Sequence, residues 1–243
     1  MTDFSEPRQL ILPFEFNPVY RLDNFVVCPG NRDAFLSIKD LCQSAYGSKI
    51  LYLYGEQGTG KTHLAQGLIN HKRETDNTFE GLVFSCSLTQ PFDAGIYSLP
   101  EAGNMPDLLV IENADYLHRI TDGEDGIFAL FNLFNQQEKP ILITSKVHPT
   151  QLIYLHERLR SRFYSGNTIK IAHLDENTCI RILKKLATDH QVIMPDKVIQ
   201  YIILRAPRNP ADIQKIFHEM DALALKLKKP ITINVARKVL ANY

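Results

Sequence analysis

The chain has 243 residues, 44% hydrophobic and 22% charged, enough for one sizeable core or a large domain with a small satellite. Its 27 basic and 27 acidic residues cancel, so the chain as a whole carries no electrostatic footprint for nucleic acid or an anionic membrane. No apolar run reaches the length of a membrane span, MTDFSEPRQL lacks the regions of a signal peptide, and the 4 cysteines are scattered. A cytoplasmic protein with reduced thiols and no membrane contact is expected.

Residues 1–20 are rich in proline and phenylalanine without helical or strand periodicity, and read as an extended tail. From Asn31 to about Ala45, Phe35, Ile38, Leu41 and Cys42 recur at helical spacing. KILYLYG is a short apolar run, as a buried parallel strand would be, and it breaks at Gly55 into a glycine-rich loop and a helix. GLVFSC, DLLVIEN, PILITS and NTIKIAHL supply further strands, with GIFALFNLFNQQ as a helix between the third and the fourth. Strands alternating with helices predict an α/β domain built on a parallel sheet. Beyond about Asp175 the pattern is helical throughout: Glu176 to His190, Asp196 to Arg205, Asn209 to Lys228, and a last helix ending near Leu240. The expected organisation is a tail over 1–20, an α/β domain over 21–174 and a small α-helical lid over 175–243.

GEQGTGKT, Gly55 to Thr62, matches the phosphate-loop pattern G-x-x-x-x-G-K-[ST] in full, with a strand before it and a helix after. Gly58 and Gly60 let the backbone, with Thr59 between them, turn N–H groups toward phosphate oxygens. Lys61 is a mobile charge for the outer phosphates, Thr62 a hydroxyl for magnesium, and the new helix aims its positive end at the anion. LLVI followed by Glu112 and Asn113 is the partner pattern, four apolar residues ending in an acid that would complete the magnesium site. ADP or ATP with magnesium is the expected ligand.

In this order, Gly55–Thr62, Leu108–Asn113, ILITSK (Ile141–Lys146) and RLRSRF (Arg158–Phe163) resemble the AAA+ relatives of the replication initiator DnaA. The resemblance implies a P-loop AAA+ domain with a helical lid. It places Asp23 and Phe25, in DNF, around adenine, and Ser145 or Lys146 at the sensor position after the fourth strand. Arg162 matches the arginine finger presented to a partner's nucleotide, and Arg158, one turn earlier, a second interface arginine. Two departures stand out. Asn113 replaces the acid that serves as base in hydrolysing members, and an amide cannot take a proton from water at neutral pH. Ala211 occupies the aligned position of the lid arginine, and Arg208, three residues earlier, either reaches the phosphates in its place or caps a turn. Little intrinsic ATP hydrolysis is therefore expected, and ADP held as a structural ligand fits better.

No counterpart of DnaA's helix-turn-helix module is expected after the lid. At the other end, QLILPF resembles the short peptide that docks bacterial proteins on the DNA-polymerase sliding clamp. Gln9 would supply hydrogen bonds, Leu10, Leu12 and Phe14 the apolar anchors, and Pro13 would keep the tail extended and lower the ordering cost. A shortened DnaA-like body with a clamp peptide resembles the Hda family, which works on clamps loaded on DNA and stimulates DnaA to hydrolyse ATP, preventing re-initiation. The implied partners are the clamp and DnaA, with DNA reached mainly through the clamp and self-association left open. The alternative is an active AAA+ ATPase such as a helicase loader, and Asn113 speaks against it.

Overall fold

The computed structural model describes residues 20–43, 49–86, 105–173, 175–207 and 210–243. Gln9, Leu10, Leu12, Phe14 and Arg208 lie outside them. Five short strands, β1 (Ile50–Tyr54), β2 (Gly81–Ser85), β3 (Leu108–Glu112), β4 (Ile141–Ser145) and β5 (Asn167–Lys170), form one sheet in the order β2-β3-β4-β1-β5. Every pairing is parallel. All residues of β3 and β4 are buried, because helices cover both faces and leave no side for polar alternation. Helices α1 (Arg32–Gln43), α2 (Lys61–Thr75), α3 (Gly123–Gln136) and α4 (Glu157–Tyr164) provide that cover.

Two apolar clusters lie on opposite faces of the sheet. One joins α1 and α2 to Leu51, Leu53, Val110 and Leu142; the other joins α3 and α4 to Tyr52, Leu109, Ile111 and Ile143. Alternate residues of each strand thus serve different cores, which is the period of two expected of a strand.

A second unit follows: α5 (Glu176–Asp189), α6 (Asp196–Ile203), α7 (Pro210–Leu227) and α8 (Ile233–Leu240). Asp175 caps α5 by accepting from Thr178 N–H at 2.8 Å, and Thr232 caps α8. Pro210 is the first residue of α7, where a missing N–H costs nothing, and Pro195 immediately precedes α6. The helices bury Leu183, Ile202, Ile216, Phe217, Met220 and Ala236 in a core of their own, which Cys28 also enters.

The segment from Tyr20 to Asn31 joins the two units. It runs along α2: Asn70 Nδ2 donates to the Tyr20 carbonyl at 2.7 Å, Arg21 pairs with Glu74, and Leu22 lies over Gly67. A Cβ at Gly67 would stand 3.0 Å from the Leu22 side chain, so the small residue admits the segment. Phe25 then meets the phosphate loop while Val26 and Cys28 pack into the helical unit.

Candidate nucleotide-binding site

The site lies at the C-terminal ends of the parallel strands, where an open α/β sheet offers its crevice. Register places Tyr54 beside Ser145 and Ser85 beside Glu112, so the phosphate loop, the acid and the sensor position leave the sheet along one edge. The Gly55 N–H donates to the Ser145 carbonyl at 3.2 Å and fixes the loop's first residue against β4.

Within the loop, Gly58 and Gly60 take positive φ, 81° and 99°. A Cβ at Gly60 would come within 2.8 Å of the Phe25 ring, and one at Gly55 within 2.4 Å of the Ile171 carbonyl oxygen. Thr59 is buried, its hydroxyl donating to the Glu56 carbonyl at 2.9 Å. α2 starts after Gly60 without a side-chain cap, so the N–H groups of its first turn are available to an anion. Thr62 is exposed in that turn.

Lys61 is only 7% exposed and curls over the loop, donating from Nζ to the Gly55 carbonyl at 2.6 Å and the Glu56 carbonyl at 2.7 Å. Burial lowers its pKa to about 8, against a raising contribution from the Asp115 carboxylate. Two carbonyls are weak partners for a buried ammonium, and phosphate oxygens would be far better ones.

Glu112 is buried at the end of β3, and burial raises its pKa while a hydrogen bond from Gln66 opposes the shift. Its Oε1 has no hydrogen-bond partner among the described residues. A buried carboxylate oxygen left over in this way fits a magnesium ion accompanying phosphates. Among the described residues no group of 3 or more His, Cys, Asp or Glu could hold a metal unaided, so the ion would share its coordination with the nucleotide and water. When bound, it would neutralise phosphate charge.

Asn113 has φ 58° and ψ 46°, the left-handed region in which Asn is at home among non-glycine residues, and its N–H donates to Thr144 Oγ1 at 3.2 Å. The turn it makes carries the chain into a short 3-10 helix, Ala114–Arg119. Sequence reading passed over Asp115 in that helix. Its Oδ1 accepts from Ser145 Oγ at 3.2 Å and from Lys146 N–H at 2.9 Å. Ser145 is fully buried with its hydroxyl held in this way, and Lys146 donates from Nζ to Tyr116 Oη at 2.5 Å.

In the DNF segment, Phe25 touches the loop whereas Asp23 turns outward to pair with Arg21. The unpredicted residues here are Asn24 and His63. His63 Nε2 stands 2.9 Å from the Arg21 carbonyl and 2.8 Å from Asn24 Oδ1. Both are acceptors, so Nε2 carries the proton. Burial lowers the His63 pKa, and the hydrogen bond to the Arg21 backbone opposes the shift.

Arg158 and Arg162 stand one turn apart on α4, which packs against β1 through Phe163 and Tyr52. Arg158 pairs with Asp125 of α3 and lies over the Phe128 ring at 4.9 Å. Arg162 is exposed, and no hydrogen bond or ion pair of its guanidinium is found among the described residues. Leu159 and Phe163, both fully buried, anchor the helix beneath it. Ala211 is exposed in the first turn of α7.

The parallel sheet, its phosphate loop and the helical lid define a P-loop nucleotide-binding protein of the AAA+ class. The family model of the bacterial DnaA ATPase domain matches residues 16–170, and that of the Hda lid domain matches residues 175–240. The chain therefore belongs to the bacterial DnaA ATPase-domain family. Domain III of the Thermotoga maritima replication initiation protein DnaA superposes with a TM-score of 0.81 at 23% identity, over 93% of this chain and 98% of that one, a likeness of fold. The replication initiator DnaA bound to AMPPCP and single-stranded DNA gives 0.68 at 26% identity, over 87% of this chain and 69% of that one. AMPPCP-bound DnaA from Aquifex aeolicus gives 0.69 at 27%, over 84% and 66%. Among the described residues no helix is long and apolar enough to cross a membrane.

Proposed function

We propose that this protein is a negative regulator of replication initiation that holds ADP or ATP with magnesium in the Gly55–Thr62 loop and presents Arg162 to the nucleotide of DnaA. Its own site is for holding a nucleotide: Asn113 has no basic group to offer an attacking water, whereas the arginine belongs to another subunit's reaction. The observation that carries the reading is Arg162 itself, an exposed cation on a helix whose other face is locked into the core. Arg158, held by Asp125, would steady that surface. The Hda-type lid supports the choice of regulator over loader. Residues 1–20 would be the tether, with Gln9, Leu10, Leu12 and Phe14 on the sliding clamp, followed by the nucleotide domain over 21–174 and the lid over 175–243.

The test is ATP hydrolysis by DnaA in the presence of clamp loaded on DNA. The wild-type chain is expected to accelerate it. Arg162→Ala should abolish the stimulation with nucleotide and clamp binding intact, and Leu12→Ala/Phe14→Ala should lose the clamp while keeping nucleotide. Normal stimulation by Arg162→Ala would refute the finger assignment.

A further inference from the structure

Asp115 is an acid for which the proposed activity has no role, and the structure connects it to the phosphate loop. Its Oδ1 accepts from the hydroxyl of Ser145 and the N–H of Lys146. The Ser145 carbonyl accepts from Gly55 N–H, and the Gly55 carbonyl accepts from Lys61 Nζ. The links therefore run from Asp115 through Ser145 and Gly55 to the phosphate-binding lysine. Ser145 is 0% exposed and Lys61 7%, so little water screens the path. The cation beside it, Lys146, is held by the Tyr116 hydroxyl and lies 4.8 Å from that ring's centroid.

We propose that Asp115 is a positioning and specificity residue of the nucleotide site: it fixes the end of β4 against the phosphate loop and places a carboxylate at the far end of the links to Lys61, biasing the site toward a nucleoside diphosphate over a triphosphate. The inference rests on Gly55–Thr62 being the nucleotide site. A triphosphate carries about one more negative charge than a diphosphate at neutral pH, with or without magnesium, and the half-buried Asp115 carboxylate, joined to Lys61 through buried groups, penalises that extra charge selectively. The hydrogen bonds account for the positioning; the charge accounts for the selectivity. The two are separable, because an asparagine at 115 retains an Oδ1 acceptor for both donors while removing the charge.

The experiment is calorimetric titration of the full-length protein with ADP and with AMPPCP at constant free magnesium. Asp115→Asn is expected to shift the ratio of the two affinities about fivefold toward the triphosphate analogue. Asp115→Glu, which keeps the charge, should stay near the wild-type ratio and serves if the asparagine variant fails to fold. Asp107→Asn is the control, since Asp107 precedes the far end of β3 and pairs with Lys139. An unchanged ratio in Asp115→Asn, or an equal shift in Asp107→Asn, overturns the inference and leaves the nucleotide site standing. Wild-type protein that takes up neither nucleotide would remove the nucleotide site and the inference together.

Discussion

Lys61 is a buried ammonium whose charge is tuned by its surroundings, and its pKa near 8 has a testable consequence. A lysine depressed from its unfolded value of 10.5 costs stability wherever it must stay protonated in the folded state. That cost is present below pH 8 and is relieved as pH rises toward 10.5, so the ligand-free protein gains stability from this group across that window. Bound phosphate reverses the sign, because it stabilises the ammonium and raises the pKa. Nucleotide affinity is thus expected to fall above about pH 8, by at most about tenfold per pH unit, with about half a proton taken up on binding at pH 8. Titrations in two buffers of different ionisation enthalpy measure that uptake, and its absence would show that Lys61 does not meet the phosphates. Asn113 gives a second expectation. Its left-handed backbone costs an ordinary side chain about 1 kcal/mol, so Asn113→Ala should lower stability by roughly that amount in denaturant melts, and Asn113→Gly should not. At this scale the phosphate loop was legible because its glycines and lysine occupy fixed offsets. Asp115 was not, because its approach to Ser145 depends on the turn at Asn113 and on the register of two strands distant in sequence.

Strands were the most legible elements, since burial on both faces of the sheet leaves continuous apolar runs. All five of the expected runs are strands, and the helical periods recur as helices to within a few residues at their ends. The short 3-10 helices Ala114–Arg119 and Pro149–Gln151 were missed: at this length neither leaves a periodic pattern. Helix α4 shows what its two faces do. Phe163 is fully buried against Tyr52 and Phe131, while Tyr164 beside it is 58% exposed. Phe163→Ala should cost about 3–5 kcal/mol through the cavity it leaves, whereas Tyr164→Ala should stay within about 0.5 kcal/mol, both read by chemical denaturation. If loss of Phe163 left stability untouched, the rigid seat claimed for Arg162 would be gone.

For the molecule as a whole, the segment from Tyr20 to Asn31 was the least legible part, because its partners are spread over the rest of the sequence. Cys28 sits with its neighbour Val26 in the helical unit's core, and Phe25 covers Gly60 of the phosphate loop. Gly60→Ala must force a Cβ against that ring at a φ of 99°, and a loss of nucleotide affinity of at least tenfold is expected by titration. Two residues separate Phe25 from Cys28, and the three steps between them span only about 10 Å when fully stretched. The segment is therefore a tether of fixed length with one end on each wall of the crevice. While both ends hold, the walls can swing apart no farther than the tether allows, and a nucleotide must slip in or out through that limited gape. Wider opening requires drawing Cys28 out of its apolar seat, and the burial lost there resists it.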